Sequence, residues 1–138
     1  MADSKKLYSY EEIQIGDALG SYEYVLTQEM LDMFRESVDD PEAPFPTLAI
    51  KHDATAFELM YEDHTGTINA ANEVEFHAAP VPGKVIRVTG RVANKYLRKG
   101  LPYIVLEASA EDEDGRLLER VRTYQLKKPD ELGKKWEP

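Results

Sequence analysis

The sequence contains no cysteine among its 138 residues. This absence excludes disulfides, thiolate nucleophiles and cysteine-bound zinc, and it fits a reducing compartment. No apolar run approaches the about 20 residues that a membrane helix needs. Residues 1–6 also lack the apolar core of a signal peptide. Together these absences predict a cytoplasmic protein with no membrane partner.

Basic residues are also scarce. Lys and Arg number 17 against 26 Asp and Glu, so the formal net charge is -9. Such a chain is not attracted to nucleic acid, and an anionic ligand would need a local basic patch. The eight glycines are scattered and form no Walker or dinucleotide-binding motif. We therefore predict no nucleic-acid partner and no resident cofactor.

The residues that are present predict one α+β domain over 1–138, with a core at about 8–126 and a loosely held tail at 127–138. A strand is predicted from Ser21 to Leu26. Thr27 is placed to cap a helix that ends near Asp39, Asp40 and Pro41.

A second helix is predicted from Leu48 to about Glu62. Two apolar stripes run along it, one with Ile50, Ala54, Phe57 and Tyr61, the other with Leu48, Ala56, Leu59 and also His52. Two stripes predict a helix that is covered on two sides.

About four strands are predicted after this helix. Residues 85–92 and 103–111 alternate between apolar and polar side chains, as strands with one dry face do. Asp114-Gly115 is a strong hairpin signal and Lys99-Gly100 a weaker one. The last strand is predicted to end near Leu126, and helices are expected on one side of an antiparallel sheet.

Several short segments share their order and spacing with one family. They are Tyr10-Glu11-Glu12-Ile13 with Ile15-Gly16-Asp17, Ala43-Pro44 with Pro46-Thr47, Glu73 to His77 before Pro82-Gly83, and Gly90-Arg91-Val92 before Arg98-Lys99-Gly100. From about Tyr8 to Leu126 the chain resembles MaoC-like dehydratases, which are hotdog-fold acyl-CoA hydratases. The resemblance implies a curved antiparallel sheet wrapped around a long central helix. It also implies an acyl-CoA ligand in a tunnel lined by Pro44, Pro46 and Thr47.

Catalytic members of that family carry Asp-x-Asn-Pro-x-His after the first helix, where Asp and His hold a water and move its proton. Aligned on Pro41, the Asn position is Asp40, the Asp position is Val38 and the His position is Ala43. Both reactive groups are absent. The resemblance then implies that this chain is the half of a two-hotdog unit that lacks the Asp–His dyad. Such a half completes the acyl tunnel in a homodimer, or in a heteromer with a catalytic hotdog subunit.

A histidine is the fallback candidate for catalysis in place of the missing Asp–His dyad. Asp53 is adjacent to His52, and the two diverge by about 100 degrees on a helix, so they cannot form a facing pair. The partner of His52 would have to come from the preceding loop, as Asp39 or Asp40, and Asp40 with His52 is the fallback pair. A histidine satisfied within a core or interface is the favoured interpretation of His52. His64 and His77 are expected at the surface, and the spacing of the three histidines predicts no metal site.

Five basic residues are candidates for the coenzyme A phosphates: Arg87, Arg91, Lys95, Arg98 and Lys99. The alternative is a solvated strand face with cross-strand partners such as Glu107 and Glu111. Function also stays open between three classes. The chain is a hydratase or dehydratase component, a noncatalytic acyl-thioester binding or assembly module, or a thioesterase that uses Asp53 or Glu58.

Overall fold

Five antiparallel strands form one sheet in the computed structural model, in the order β1-β3-β4-β5-β2. The structure describes residues 5–44, 51–61 and 67–127. The elements are β1 (Ala18–Val25), α1 (Gln28–Ser37), α2 (His52–Met60), β2 (Ile68–Phe76), β3 (Val85–Arg98), β4 (Leu101–Asp112) and β5 (Leu117–Leu126). This arrangement confirms the α+β prediction. No helix in these three ranges is long and apolar enough to span a membrane.

Both predicted hairpins are present. Lys99 and Gly100 both have positive φ, 52° and 77°, as a two-residue turn between twisted strands requires. Gly115 has a φ of 81°, and Asp112 Oδ1 accepts hydrogen bonds from the backbone N–H groups of Asp114 and Arg116. The turn residues therefore set the register of β3 with β4 and of β4 with β5.

The predicted cap of α1 is confirmed. Thr27 has extended backbone angles, and its side chain accepts a hydrogen bond from Met30 N at 3.1 Å. The helix ends at Ser37, before the turn at Asp39. Leu31 is its one buried residue, so α1 lies mostly on the surface.

The predicted long central helix is not what the structure shows. The described helix α2 has nine residues and ends at Met60, because Tyr61 is extended and forms a β-bridge with Lys6. Lys6 N donates to Met60 O at 2.8 Å. The predicted positions Leu48 to Ile50 and Glu62 lie outside the described residues. Burial on two sides is also only partial, since Leu59 is 47% exposed.

The inner face of the sheet carries α2. Ala56 and Phe57 are fully buried against Val92, Ile104 and Leu106. A second apolar group at the other end of that face includes Leu26, Ile86, Val88, Ala108 and Val121. The start of α2 lies against these inner-face strands, which positions its first residues for the site described below.

Candidate functional site

The inner face of β5 carries buried polar side chains. Glu119, Thr123 and Gln125 are in phase with Val121, and all four are buried. Tyr8 donates a hydrogen bond to Gln125 Oε1 at 2.9 Å. Polar groups enclosed in this way need partners within the protein, because water does not reach them.

His52, the first residue of α2, lies between Tyr24 on β1 and Glu119 on β5. Its Nε2 is 2.8 Å from the Tyr24 hydroxyl on β1, and its Nδ1 is 3.2 Å from Glu119 Oε1 on β5. His52 is 2% exposed and Glu119 is 7% exposed, whereas Tyr24 is half-buried. The contact between Nδ1 and Glu119 is within ion-pair distance, but it is not a well-formed hydrogen bond. Nδ1 has no other hydrogen-bond partner among the described residues.

Burial keeps both members of this contact neutral over a wide pH range. It lowers the pKa of His52 to about 4 and raises the pKa of Glu119 to about 7. Burial also raises the pKa of Tyr24, and the nearby Glu119 carboxylate adds to that effect. The three groups therefore form a hydroxyl–imidazole–carboxyl chain that can relay a proton without an imidazolium.

Asp53, the second residue of α2, is fully buried. Its Oδ1 accepts a hydrogen bond from Ala54 N at 2.8 Å, while its Oδ2 has no hydrogen-bond partner among the residues that the structure describes. Burial raises its pKa, although the hydroxyl of Thr123 acts in the opposite direction. Glu58, the other carboxylate considered on this helix, lies on its exposed side.

The loop after α1 has no acid–base pair at Val38 and Ala43, the positions that the family resemblance aligns with a reactive Asp and His. Val38 is exposed, Ala43 is buried, and the Ala43 carbonyl accepts from Arg35 Nε at 3.1 Å. Asp40 Oδ1 accepts from the backbone N–H of Glu42 at 3.0 Å.

The structure does not bring the fallback pair together. The ring nitrogens of His52 face Tyr24 and Glu119, while Asp40 lies in an acidic surface depression of about 460 Å³ beside α1. Of the predicted tunnel residues, Pro44 is exposed, and Pro46 and Thr47 lie outside the described residues.

Two of the three arginines of β3, Arg87 and Arg91, are engaged by glutamates on the outer face of the sheet. Arg87 Nη2 is 2.7 Å from Glu23, and Arg91 Nη2 is 3.1 Å from Glu107, which also binds Arg122. Burial alone would raise the pKa of Glu107, but the two guanidinium groups outweigh it and lower that pKa. This face is therefore largely neutralised by its own ion pairs.

The other three basic candidates lie farther along the β3–β4 hairpin. Lys95 Nζ donates to Tyr10 O at 2.8 Å and lies 4.8 Å from the centre of the Tyr10 ring. Arg98 and Lys99 are exposed at the hairpin tip, and their side chains have no ion-pair or hydrogen-bond partner in the described part of the chain. The five basic residues are thus distributed along the strand and do not form one patch.

Sequence reasoning missed Tyr24 and Glu119 as members of the site. The available signal was the phase of β5, because Glu119 and Val121 alternate onto one face. The interpretation of His52 as a core histidine agrees with its burial. His77 lies at the surface, 3.4 Å from Glu75, and His64 is outside the described residues. Within residues 5–44, 51–61 and 67–127, no cluster of acidic and histidine side chains could hold a metal ion.

No family profile matches the sequence, and no curated protein matches it. Solved structures do match. A protein described as a monoamine oxidase regulatory protein, from Archaeoglobus, aligns with a TM-score of 0.70 at 17% identity, covering 92% of this chain and 97% of that one. A thioesterase superfamily member from Thermus thermophilus aligns with a TM-score of 0.64 at 25% identity, covering 85% of each chain.

A (3R)-hydroxyacyl-ACP dehydratase complex from Mycobacterium tuberculosis provides a third match. Its TM-score is 0.66 at 14% identity, and the alignment covers 81% of this chain and 96% of that one. MaoC-like dehydratases and (R)-hydratases are among the further structural neighbours. The chain therefore has the hotdog fold that MaoC-like dehydratases, (R)-hydratases and thioesterase-superfamily proteins share.

Proposed function

We propose that this chain is a cytoplasmic acyl-thioester-binding subunit of a hotdog hydratase or dehydratase, and that a second chain contributes the reactive pair. The observation that carries the proposal is the loop after α1. Hydration of an enoyl thioester needs a group that takes a proton from water and a group that returns one. Val38 and Ala43 can do neither, and Asp40 holds the backbone of its own turn.

The free edge of the sheet supports an assembly of two hotdog chains. The nine-residue strand β2 ends the sheet, and β5 is its one strand neighbour in the described structure. Such an edge can pair with the edge of another chain through its backbone groups. A homodimer would bring two loops without the pair, whereas a heteromer with a catalytic hotdog subunit would bring one complete set. The heteromer therefore fits the proposed activity better.

The exposed cations at the hairpin tip support a ligand with phosphate groups. Arg98 and Lys99 project from an otherwise acidic chain, and guanidinium and ammonium groups bind phosphate well. We propose that these two residues contact the nucleotide end of coenzyme A. Arg87 and Arg91, which are engaged by glutamates, contribute less, and Lys95 supports the hairpin through Tyr10.

A turnover assay tests the proposal. The purified chain is expected to bind crotonyl-CoA but not to hydrate it, and co-purification with a hotdog chain that carries the complete pair is expected to give turnover. Asp40→Asn and His52→Ala serve as matched variants of the chain within that complex, and Asp40→Asn is expected to leave turnover unchanged. Rapid hydration by the isolated chain that Asp40→Asn abolishes would contradict the proposal. Binding without turnover in every complex would favour a noncatalytic acyl-thioester module.

Thioester hydrolysis is a second candidate, favoured by the buried Asp53, whose Oδ2 has no well-formed hydrogen bond to any described residue. A carboxylate with a free oxygen can activate a water or attack a thioester carbon. The thioesterase superfamily member from Thermus thermophilus lends further support. If the isolated chain cleaves butyryl-CoA, Asp53→Asn should abolish cleavage, while the exposed control Glu58→Gln should retain it. No release of free thiol from butyryl-CoA would eliminate this candidate.

A further inference from the structure

We propose that Tyr24, His52 and Glu119 form a proton-linked binding site for the carbonyl oxygen of an acyl thioester. In this site, the protonation of Glu119 decides whether the Tyr24 hydroxyl presents a donor or an acceptor to the ligand. The inference rests on the proposed function for the identity of the ligand. The switch itself rests on the geometry of the three side chains.

The three groups are connected in series. The carboxyl of Glu119 faces Nδ1 of His52, and the hydroxyl of Tyr24 faces Nε2 on the opposite side of the ring. A neutral imidazole carries one N–H, so one ring nitrogen donates and the other accepts. Whichever nitrogen carries the proton therefore fixes the direction of both contacts.

When Glu119 is ionised, its carboxylate can only accept. Nδ1 of His52 must then carry the proton, and Nε2 must accept the hydroxyl proton of Tyr24. The Tyr24 O–H then donates to His52, and only the lone pairs of the Tyr24 oxygen face a ligand. A carbonyl oxygen, which is itself an acceptor, gains no hydrogen bond from this arrangement.

When Glu119 is protonated, the direction reverses. The carboxyl O–H donates to Nδ1, the proton of the ring moves to Nε2, and Nε2–H donates to the Tyr24 oxygen. The Tyr24 O–H is then free to donate to a carbonyl oxygen. Tyr24 is the member of the three that a ligand can reach, because it is half-buried while His52 and Glu119 are enclosed.

Other observations support this switch. Nδ1 of His52 is buried without a well-formed hydrogen bond, so neither proton position is locked by geometry. Burial raises the pKa of Glu119 to about 7 and holds the pKa of His52 at about 4, so the carboxyl titrates while the ring stays neutral.

The surroundings of Glu119 contain little other charge. The groups that face it or flank it on the packed elements are His52 and Asp53 on α2, Tyr22 and Tyr24 on β1, and the uncharged strand partners Ala110 on β4 and Phe76 on β2. Of these, Asp53 is the second carboxyl, and it faces Tyr22. The titration of Glu119 therefore acts mainly on His52.

Nitrogen NMR tests the switch without any ligand. The chain has three histidines, so the ring nitrogens of ¹⁵N-labelled protein can be assigned with single His→Gln variants. We expect the neutral His52 ring to carry its proton on Nε2 at pH 6 and on Nδ1 at pH 8. Glu119→Gln should make the tautomer independent of pH. A wild-type tautomer that does not change between pH 6 and pH 8 would overturn the inference.

Binding of butyryl-CoA at the same two pH values tests the ligand. We expect the dissociation constant to be about three- to tenfold lower at pH 6 than at pH 8, the effect of one gained hydrogen bond. Tyr24→Phe should remove that preference. Tyr22→Phe is the matched control, since Tyr22 stacks on Tyr24 with 6.1 Å between ring centres, and it should keep the preference.

The two readouts separate the inference from the proposed function. A tautomer change without butyryl-CoA binding at either pH would refute acyl-thioester binding while the proton switch stands. Binding with equal affinity at both pH values, unaffected by Tyr24→Phe, would refute the carbonyl site while acyl-thioester binding stands.

Discussion

Gly20 on β1 lies so close to Leu59 on α2 that a Cβ added to the glycine would overlap the Cβ of the leucine. The same added atom would lie 3.1 Å from the backbone oxygen of Ala56. Gly90 on β3 occupies a similar place, where a Cβ would lie 3.1 Å from the Cβ atoms of Ala56 and Leu19. Helix α2 therefore approaches the sheet closely because two strands lack side chains beneath it.

We expect Gly20→Ala to destabilise the protein by about 1–3 kcal/mol, because the new methyl group must displace α2 or distort β1. Urea denaturation followed by circular dichroism measures the free energy of unfolding. Gly90→Ala is the matched control and should cost less, since its contacts are longer. Equal or increased stability of Gly20→Ala would show that α2 can move away from β1 freely.

Tyr8→Phe tests the buried hydrogen bond to Gln125. The substitution removes the donor 2.9 Å from Gln125 Oε1 and leaves that oxygen enclosed without it. We expect a loss of about 1–3 kcal/mol in the free energy of unfolding. The double variant Tyr8→Phe with Gln125→Leu should recover part of the loss, because both polar groups are then absent. Additive losses in the double variant would contradict this account.

The stability of the protein should depend on pH through Glu119. Its carboxyl titrates near 4.5 in an unfolded chain and near 7 in the folded protein. Between these values the folded state holds a proton that the unfolded state has released, so the free energy of unfolding falls as pH rises to 7. The stabilising contribution of the neutral carboxyl is complete below pH 4.5 and is lost above pH 7.

His52 has the opposite effect. Below pH 6.5 the unfolded ring takes a proton that the folded ring refuses until about pH 4, so stability falls as pH decreases through that interval. Glu119→Gln removes only the pH dependence of stability that comes from Glu119. Relative to wild type, we expect the variant to gain about 3 kcal/mol between pH 4.5 and pH 8, measured by urea denaturation. The control Glu111→Gln replaces an exposed carboxylate on β4. Parallel profiles of wild type and Glu119→Gln would contradict the prediction.

Coenzyme A binding should distinguish the basic residues. We expect Arg98→Ala and Lys99→Ala each to weaken binding of crotonyl-CoA several-fold and to reduce its salt dependence, because each removes an exposed cation at the hairpin tip. Arg87→Ala is the matched control and should have a smaller effect, since Glu23 engages that guanidinium. Calorimetry at two salt concentrations measures both quantities. A larger effect at Arg87 would place the phosphates on the outer face of the sheet.

Local signals in the sequence predicted the strands, the turns and the first helix. Alternation marks the strands, Lys99-Gly100 and Asp114-Gly115 supply the turn conformations, and Thr27 has a side chain suited to capping. These features depend on residues close together in the chain. The predicted end of the second helix, at about Glu62, lies slightly beyond the observed end at Met60, because Tyr61 forms a bridge with the distant Lys6.

The candidate site was harder to predict because its members meet only in the folded chain. A glutamate within an alternating strand ordinarily indicates the solvated face, and Glu119 breaks that rule by facing His52. The sequence suggests Glu107 and Glu111 as cross-strand partners of the basic residues. Arg91 does pair with Glu107, whereas Arg87 pairs with Glu23 on β1. Pairings between distant segments depend on strand order, which side-chain alternation does not encode.

The edge position of β2 has a further consequence for the behaviour of the chain in a crowded cell. Within the described ranges, one side of this nine-residue strand has no strand partner, and such an edge is a template on which other extended chains can pair. Glu73 and Glu75 place two carboxylates on it, held in part by Tyr124 and Arg120. A neighbour that docks there must tolerate or neutralise that charge, so the edge resists indiscriminate aggregation while it remains open to a matched strand.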